Sequence, residues 1–180
     1  MTIDQSGEQQ LAASWNAAAG CLTAEAGSLA GTDRLGAALA DGLYPGCVLM
    51  LCGNLGSGKT RLVEAIAAGL GCPREAVSSP TFVLVQEYEG RLPLYHFDTW
   101  RLRDSNEFLE LGAEELLEAE GCCCVEWGDR VEEILPPDRV NVQIDSTGAD
   151  SRRFTFQATG ARSRKLLEQL AAALGAGSSG

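Results

Sequence analysis

The chain has 180 residues, 45% hydrophobic and 22% charged, and its 14 Lys+Arg against 25 Asp+Glu give a formal net charge of −11. That profile fits one ordinary globular domain and argues against a direct grip on RNA, because a polyanion would meet a repulsive average field. No apolar run approaches the roughly eighteen residues needed to cross a bilayer, and the N-terminus lacks a basic stretch ahead of an apolar core, so a cytoplasmic protein without membrane contact is expected.

Residues 1–20 and the tail 175–180 read as mobile ends, leaving 21–174 as a single domain. Residues 22–43 read as a helix with Leu29, Leu35 and Leu39 on one side. The short apolar run 47–52 (CVLMLC) suits a strand buried on both faces. Residues 60–70 repeat Leu62, Val63, Ile66 and Leu70 at helical spacing, and Gly71 and Pro73 close the helix. Strands are expected at 82–88 and 92–100, a helix over 107–120 stopped by Gly121, and a second buried strand at 122–127 (CCCVEW). Two further strands, 140–144 and 153–158, flank the turn Asp145-Ser146-Thr147-Gly148, and a last helix covers 163–174. Strands alternating with helices predict an α/β fold with a mainly parallel central sheet and an antiparallel portion.

Seven cysteines invite a metal or disulfide reading. There is no C-x-x-C pair, however, and Cys122, Cys123 and Cys124 are consecutive, so in a strand they point to alternate faces and cannot share one metal. Free core thiols are expected.

The chemistry is carried by Gly53-Asn54-Leu55-Gly56-Ser57-Gly58-Lys59-Thr60, which fits G-x-x-x-x-G-K-[ST] between a buried strand and a helix. Its glycines let backbone N–H groups turn inward around phosphate oxygens. Lys59 supplies charge to the β- and γ-phosphates and Thr60 a hydroxyl to Mg²⁺, with the positive end of the following helix facing the anion. The motif refines the expected fold to a P-loop NTPase-like three-layer arrangement with helices on both sheet faces. Such a site needs an acid near the metal and the attacking water, and two end apolar strands: Asp98 after L-Y-H-F and Glu126 after C-C-C-V. His96 shares a strand face with Asp98; as the sole histidine it reads as a hydrogen-bonded structural residue in preference to a catalyst. No N-K-x-D guanine signature is present, so ATP is favoured by elimination.

With these residues in view, the segments G-N-L-G-S-G-K-T (53–60), S-S-P-T-F-V-L-V-Q-E-Y (78–88), L-Y-H-F-D-T-W-R-L (94–102), E-L-G-A-E-E-L-L (110–117), V-E-W (125–127) and I-L-P (134–136) resemble the TsaE (YjeE) family. The resemblance implies a small, weak P-loop ATPase using ATP and Mg²⁺. It would work with TsaB and TsaD to complete N6-threonylcarbamoyladenosine at position 37 of tRNA, meeting tRNA only through that complex. It also implies Lys59 on the phosphates, Thr60 on magnesium, and Thr81 in a switch-like segment near the γ-phosphate. Asp98 and Glu126 match the acids around the metal and the water, Trp127 an aromatic beside the site, and Glu25 the segment approaching the base. The chain departs from the family pattern at Arg61, where a second Thr is common and where a guanidinium would weaken turnover or contact a phosphate. It departs again at Asn54, usually Asp, and at Trp100, often Tyr.

Residues 151–165 carry Arg152, Arg153, Arg162, Arg164 and Lys165 and no acid, a +5 segment in a chain of −11. It reads as a solvated face or as a docking patch. On the docking reading, reversing Arg152 and Arg153 would weaken partner binding and spare nucleotide affinity. The same P-loop also admits a small-molecule kinase, or a nucleotide-dependent adaptor that does not hydrolyse.

Overall fold

A computed structural model describes residues 11–73 and 84–178. In chain order the elements are β1 (Leu11–Asn16), β2 (Cys21–Ala26), α1 (Leu29–Gly42), β3 (Cys47–Cys52), α2 (Lys59–Gly69), β4 (Val85–Tyr88), β5 (Leu94–Asp98), α3 (Ser105–Glu110), α4 (Ala113–Glu118), β6 (Cys122–Glu126), β7 (Val140–Ser146), β8 (Arg152–Ala158), α5 (Ala161–Ala173) and β9 (Gly177–Ser178). They build one sheet in the order β4-β5-β6-β3-β7-β8-β2-β1-β9.

The continuous apolar runs take the middle of the sheet. Strand β3 lies between β6 and β7 and is parallel to both, while β5 runs parallel to β6 on its far side. Alternate side chains then feed two cores. Cys47, Leu49 and Leu51 of β3 join Leu62 and Ile66 of α2, Leu35 and Leu39 of α1, and Leu166, Leu167 and Leu170 of α5. Val48 and Met50 point the other way, toward Phe108 of α3 and Leu117 of α4. Phe97 meets Phe108 edge-to-face with centroids 5.2 Å apart, worth about 1 kcal/mol beyond buried area. Helices therefore cover both faces, as the three-layer expectation requires.

Four expectations need correction. The sheet is evenly mixed: β4–β5, β7–β8, β8–β2 and β2–β1 are antiparallel. Antiparallel neighbours need only a tight turn, whereas each parallel step needs a crossover, so the parallel ladders cluster in the centre, with one short β1–β9 pair at the edge. The helix expected over 22–43 begins only at Leu29; Leu22, Ala24 and Ala26 alternate inward on β2, and Ser28 Oγ caps α1 by accepting from the Gly31 N–H at 3.2 Å. Residues 11–20 were expected in a mobile end, yet β1 pairs along its whole length with β2, and residues 177–178 of the expected tail pair with β1. Finally, the helix expected over 107–120 is two short ones, broken where Gly112 turns left-handed at φ 75°.

Candidate functional site

Parallel register gathers the chemistry at one sheet edge. Leu51 of β3 and Asp98 of β5 both align with Glu126 of β6, so the two acids end their strands beside the loop that leaves β3. That loop, Gly53–Gly58, needs its glycines. Gly53 has φ 147°, and a Cβ there would lie 2.4 Å from the Ile144 carbonyl oxygen and 2.6 Å from Ser57 Oγ. Gly58, at φ 106°, opens α2 without a side-chain cap, which leaves the first-turn N–H groups of α2 for an anion.

The side chains around this loop form one network. Lys59 is 4% exposed. Its ammonium donates to the carbonyls of Gly53 (2.7 Å) and Asn54 (3.0 Å) and lies 3.7 Å from the centroid of the Trp127 ring. Burial lowers the pKa of this lysine from its ordinary value, and the negative charges of Glu126 and Asp98 oppose that shift. Thr60 Oγ1 donates to Glu126 Oε1 at 2.7 Å, and the same oxygen lies 2.8 Å from His96 Nε2. Asp98 Oδ1 accepts the backbone N–H of Trp100 at 2.9 Å. Both acids are nearly buried.

These groups open onto a cavity of about 450 Å³ walled by Gly56, Gly58, Lys59, Thr60, Arg61, Asp98, Glu126 and Trp127, together with Leu29, Leu55, Trp100, Arg101 and Arg152. Trp127 adopts a left-handed backbone at φ 57°, costing about 1–2 kcal/mol. It is held there by its N–H bond to Leu51 O, by Lys59, and by the Trp100 ring 4.3 Å away. Thr99, fully buried, donates its hydroxyl to the carbonyls of Glu126 and Trp127 at 3.0 and 2.7 Å and so ties the ends of β5 and β6 together.

Most expected site residues converge, with three exceptions. Glu25 is exposed on β2, paired with Arg153 at 2.8 Å, and does not line the cavity; β8 and β7 separate its strand from β3. Leu29, four residues on, reaches the cavity in its place. Thr81 lies outside the described residues. Arg61 lines the cavity, but its two terminal nitrogens bind Asp33 of α1 and Glu64 of α2, which draws the guanidinium away from phosphate duty. Sequence reasoning missed Thr99, Arg101 and Arg152 as site residues. Thr99 and Arg101 fall inside L-Y-H-F-D-T-W-R-L (94–102), which gave neither of them a role. No motif marks Arg152, which enters the loop across 95 residues through Nε–H to Ser57 O at 2.8 Å. The +5 segment is not a continuous free face either, since Arg153 pairs with Glu25 and Arg162 stacks over Tyr44 with its Cζ 4.2 Å from the ring centroid.

All seven cysteines are free; five are buried as core thiols, whereas Cys21 and Cys52 are only half-buried. Among the described residues no three His, Cys, Asp or Glu side chains cluster. Nor is any helix among the described residues long and apolar enough to cross a membrane.

Known proteins resemble this chain in sequence and fold. A sequence model of the family described as "Threonylcarbamoyl adenosine biosynthesis protein TsaE" matches residues 26–154. The chain is 46% identical over 127 residues to the tRNA threonylcarbamoyladenosine biosynthesis protein TsaE of Bacillus subtilis, covering 70% of this chain and 78% of that one. It is 40% identical over 124 residues to the Treponema pallidum protein of the same name, covering 69% and 91%. The crystal structure of Bacillus subtilis YdiB superposes with a TM-score of 0.71 at 35% identity, covering 84% of this chain and 95% of that one. A match over residues 26–154, a span that includes the loop and the two acid-ended strands, places the protein in the TsaE family.

Proposed function

We propose that the chain binds Mg-ATP at the loop 53–60 and hydrolyses it to drive or reset a TsaB–TsaD complex that forms threonylcarbamoyladenosine at tRNA position 37. The observation that carries this reading is the convergence of Lys59, Thr60, Glu126 and Asp98 at one end of the central strands. The cavity suits such a ligand. Among the described residues Ser57 Oγ is buried with no hydrogen-bond partner, the glycine cradle would be filled by a single Cβ, and the start of α2 has no side-chain cap. Magnesium is held in such sites by one or two side chains plus phosphate oxygens, so the Thr60 hydroxyl and the carboxylates of Glu126 and Asp98 are enough. When bound, the metal draws charge from the phosphate oxygens.

The protein's own groups do the rest. Lys59, desolvated and cationic, moves from the loop carbonyls onto the β- and γ-phosphates. Glu126 and Asp98 orient water and accept its proton. Leu29, Leu55 and Trp100 are 52%, 83% and 46% exposed, and all three line the cavity mouth, offering an apolar rim for the base. The net charge of −11 fits a protein that reaches tRNA through protein partners.

The test is ADP release from Mg-ATP by the purified chain, alone and with TsaB and TsaD. Slow turnover that rises with the partners is expected, with Lys59→Ala lowering it about 100-fold or more, the scale of losing one preorganised electrostatic contact. Turnover indifferent to TsaB and TsaD would remove their role, phosphate appearing on an acceptor would favour a kinase, and no turnover under any condition would leave a nucleotide-dependent adaptor.

A further inference from the structure

Glu126 is held more tightly than a metal-side carboxylate requires. Two donors meet on one of its oxygens, Thr60 Oγ1 at 2.7 Å and His96 Nε2 at 2.8 Å, both on Oε1. Among the described residues no donor bonds Oε2. His96 is fully buried on β5, opposite Cys124 in the register with β6, and among the described residues its Nδ1 has no hydrogen-bond partner. These facts select one tautomer. With the proton on Nδ1, a bare Nε2 lone pair would face the carboxylate oxygen at 2.8 Å, and a buried N–H would go unpaired, which costs about 1–3 kcal/mol. With the proton on Nε2, the ring donates to Oε1 and only a lone pair stays unmatched.

We propose that His96 is a positioning residue for Glu126: its Nε2–H clamps Oε1 against the Thr60 hydroxyl and leaves Oε2 as the oxygen presented to the cavity. His96 itself does not wall the cavity and touches no reacting atom; it acts through the carboxylate. Two β-strands fix the pair, so the carboxylate does not have to be ordered when nucleotide arrives. The consequence for turnover rests on the ATPase reading above, but the clamp is a property of the chain alone.

Because the chain has a single histidine, its ring nitrogens give an unambiguous signal after ¹⁵N-histidine labelling. The protein without nucleotide is expected to show an Nε2-protonated ring with a slowly exchanging N–H. Glu126→Ala is expected to speed that exchange at least tenfold, as for a buried donor whose acceptor is lost. In kinetics, His96→Met removes the donor at similar volume, and His96→Gln keeps an N–H at similar reach. The methionine variant should lose about tenfold in kcat with ADP affinity within about threefold, and the glutamine variant should stay within about threefold of the parent in both. An Nδ1-protonated ring, exchange insensitive to Glu126, equal loss in both variants, parent-like turnover in the methionine variant, or failure of that variant to fold would each overturn the proposal. Absence of turnover in the parent protein would instead count against the ATPase reading, with the labelled ring still deciding the clamp.

Discussion

Arg152 makes four hydrogen bonds, all to carbonyls: Nε to Ser57 at 2.8 Å, and Nη1 to Gly148, Ala149 and Ser151 at 3.0, 3.1 and 2.8 Å. It thereby staples the turn between β7 and β8 onto the loop 53–58 and adds a cation to the cavity wall. Its neighbour Arg153 points to the other sheet face, pairing with exposed Glu25, an interaction worth about 0–1 kcal/mol. The two therefore separate in function. Arg152→Glu should weaken ATP binding at least tenfold, by freeing the loop and placing a like charge beside the phosphates, while Arg153→Glu should leave the affinity within about twofold; titration calorimetry of both variants checks this. Equal affinities would mean that the loop holds its shape without the staple. The contrast also shows what a sequence can disclose about a site. Lys59, Thr60 and Glu126 were legible because phosphate chemistry demands those types at short spacing or at the end of an apolar strand. Arg152 was not, because its partner lies 95 residues away and only the folded sheet brings them together.

Helices α1 and α2 approach closely enough to exclude a side chain between them. A Cβ on Gly36 would lie 2.4 Å from Ala65 Cβ and 2.8 Å from the Ala65 carbonyl carbon, and one on Gly69 would lie 2.7 Å from Ala40 Cβ. Backbone cannot swing aside as a flexible side chain can, so Gly36→Ala should destabilise the fold by about 1–3 kcal/mol, outweighing the gain of about 1 kcal/mol in helix propensity. Thermal unfolding measures it, and a raised Tm would show slack between the helices. Since α2 begins at Lys59, the same variant should also weaken nucleotide binding. At this scale the legible elements were those with a single dominant signal. The run 47–52 is apolar throughout and 122–125 is apolar up to Glu126, and both proved to be central strands. Strand β2 was hidden because its alternation, C-L-T-A-E-A, is written partly in alanine and merges with an alanine-rich helix two residues later. Only Gly27-Ser28 marks the boundary, and the capping role of Ser28 emerges once β2 occupies its place in the sheet.

The described residues form a single sheet with a core on each face, and the five buried cysteines are divided between the two. Cys47, Cys72, Cys122 and Cys124 belong to the core under α1, α2 and α5, and Cys123 to the core under α3 and α4. The alternation of Cys122, Cys123 and Cys124 across the sheet was legible from strand geometry alone. The parity of the sheet was not, because strand direction depends on which strands become neighbours, and local pattern does not record that. Burial pushes the Cys47 and Cys123 thiols up to about 12, and Cys52 to about 11 with Asp129 adding to the effect. Thiolate is the reactive form, so at pH 8 even half-buried Cys52 is ionised only to about one part in a thousand. Native protein treated with iodoacetamide at pH 8 should therefore be modified at Cys21 first and at Cys52 slowly. The five buried thiols should resist until the sheet opens globally, and denatured protein should take up all seven. Mass mapping against denaturant concentration decides it: protection of Cys122–Cys124 that is lost at the midpoint of global unfolding means that the strand carrying Glu126 does not open on its own. Labelling of those three well below that midpoint would mean that the two cores separate along β6, and that the carboxylate held by His96 and Thr60 rests on a mobile strand.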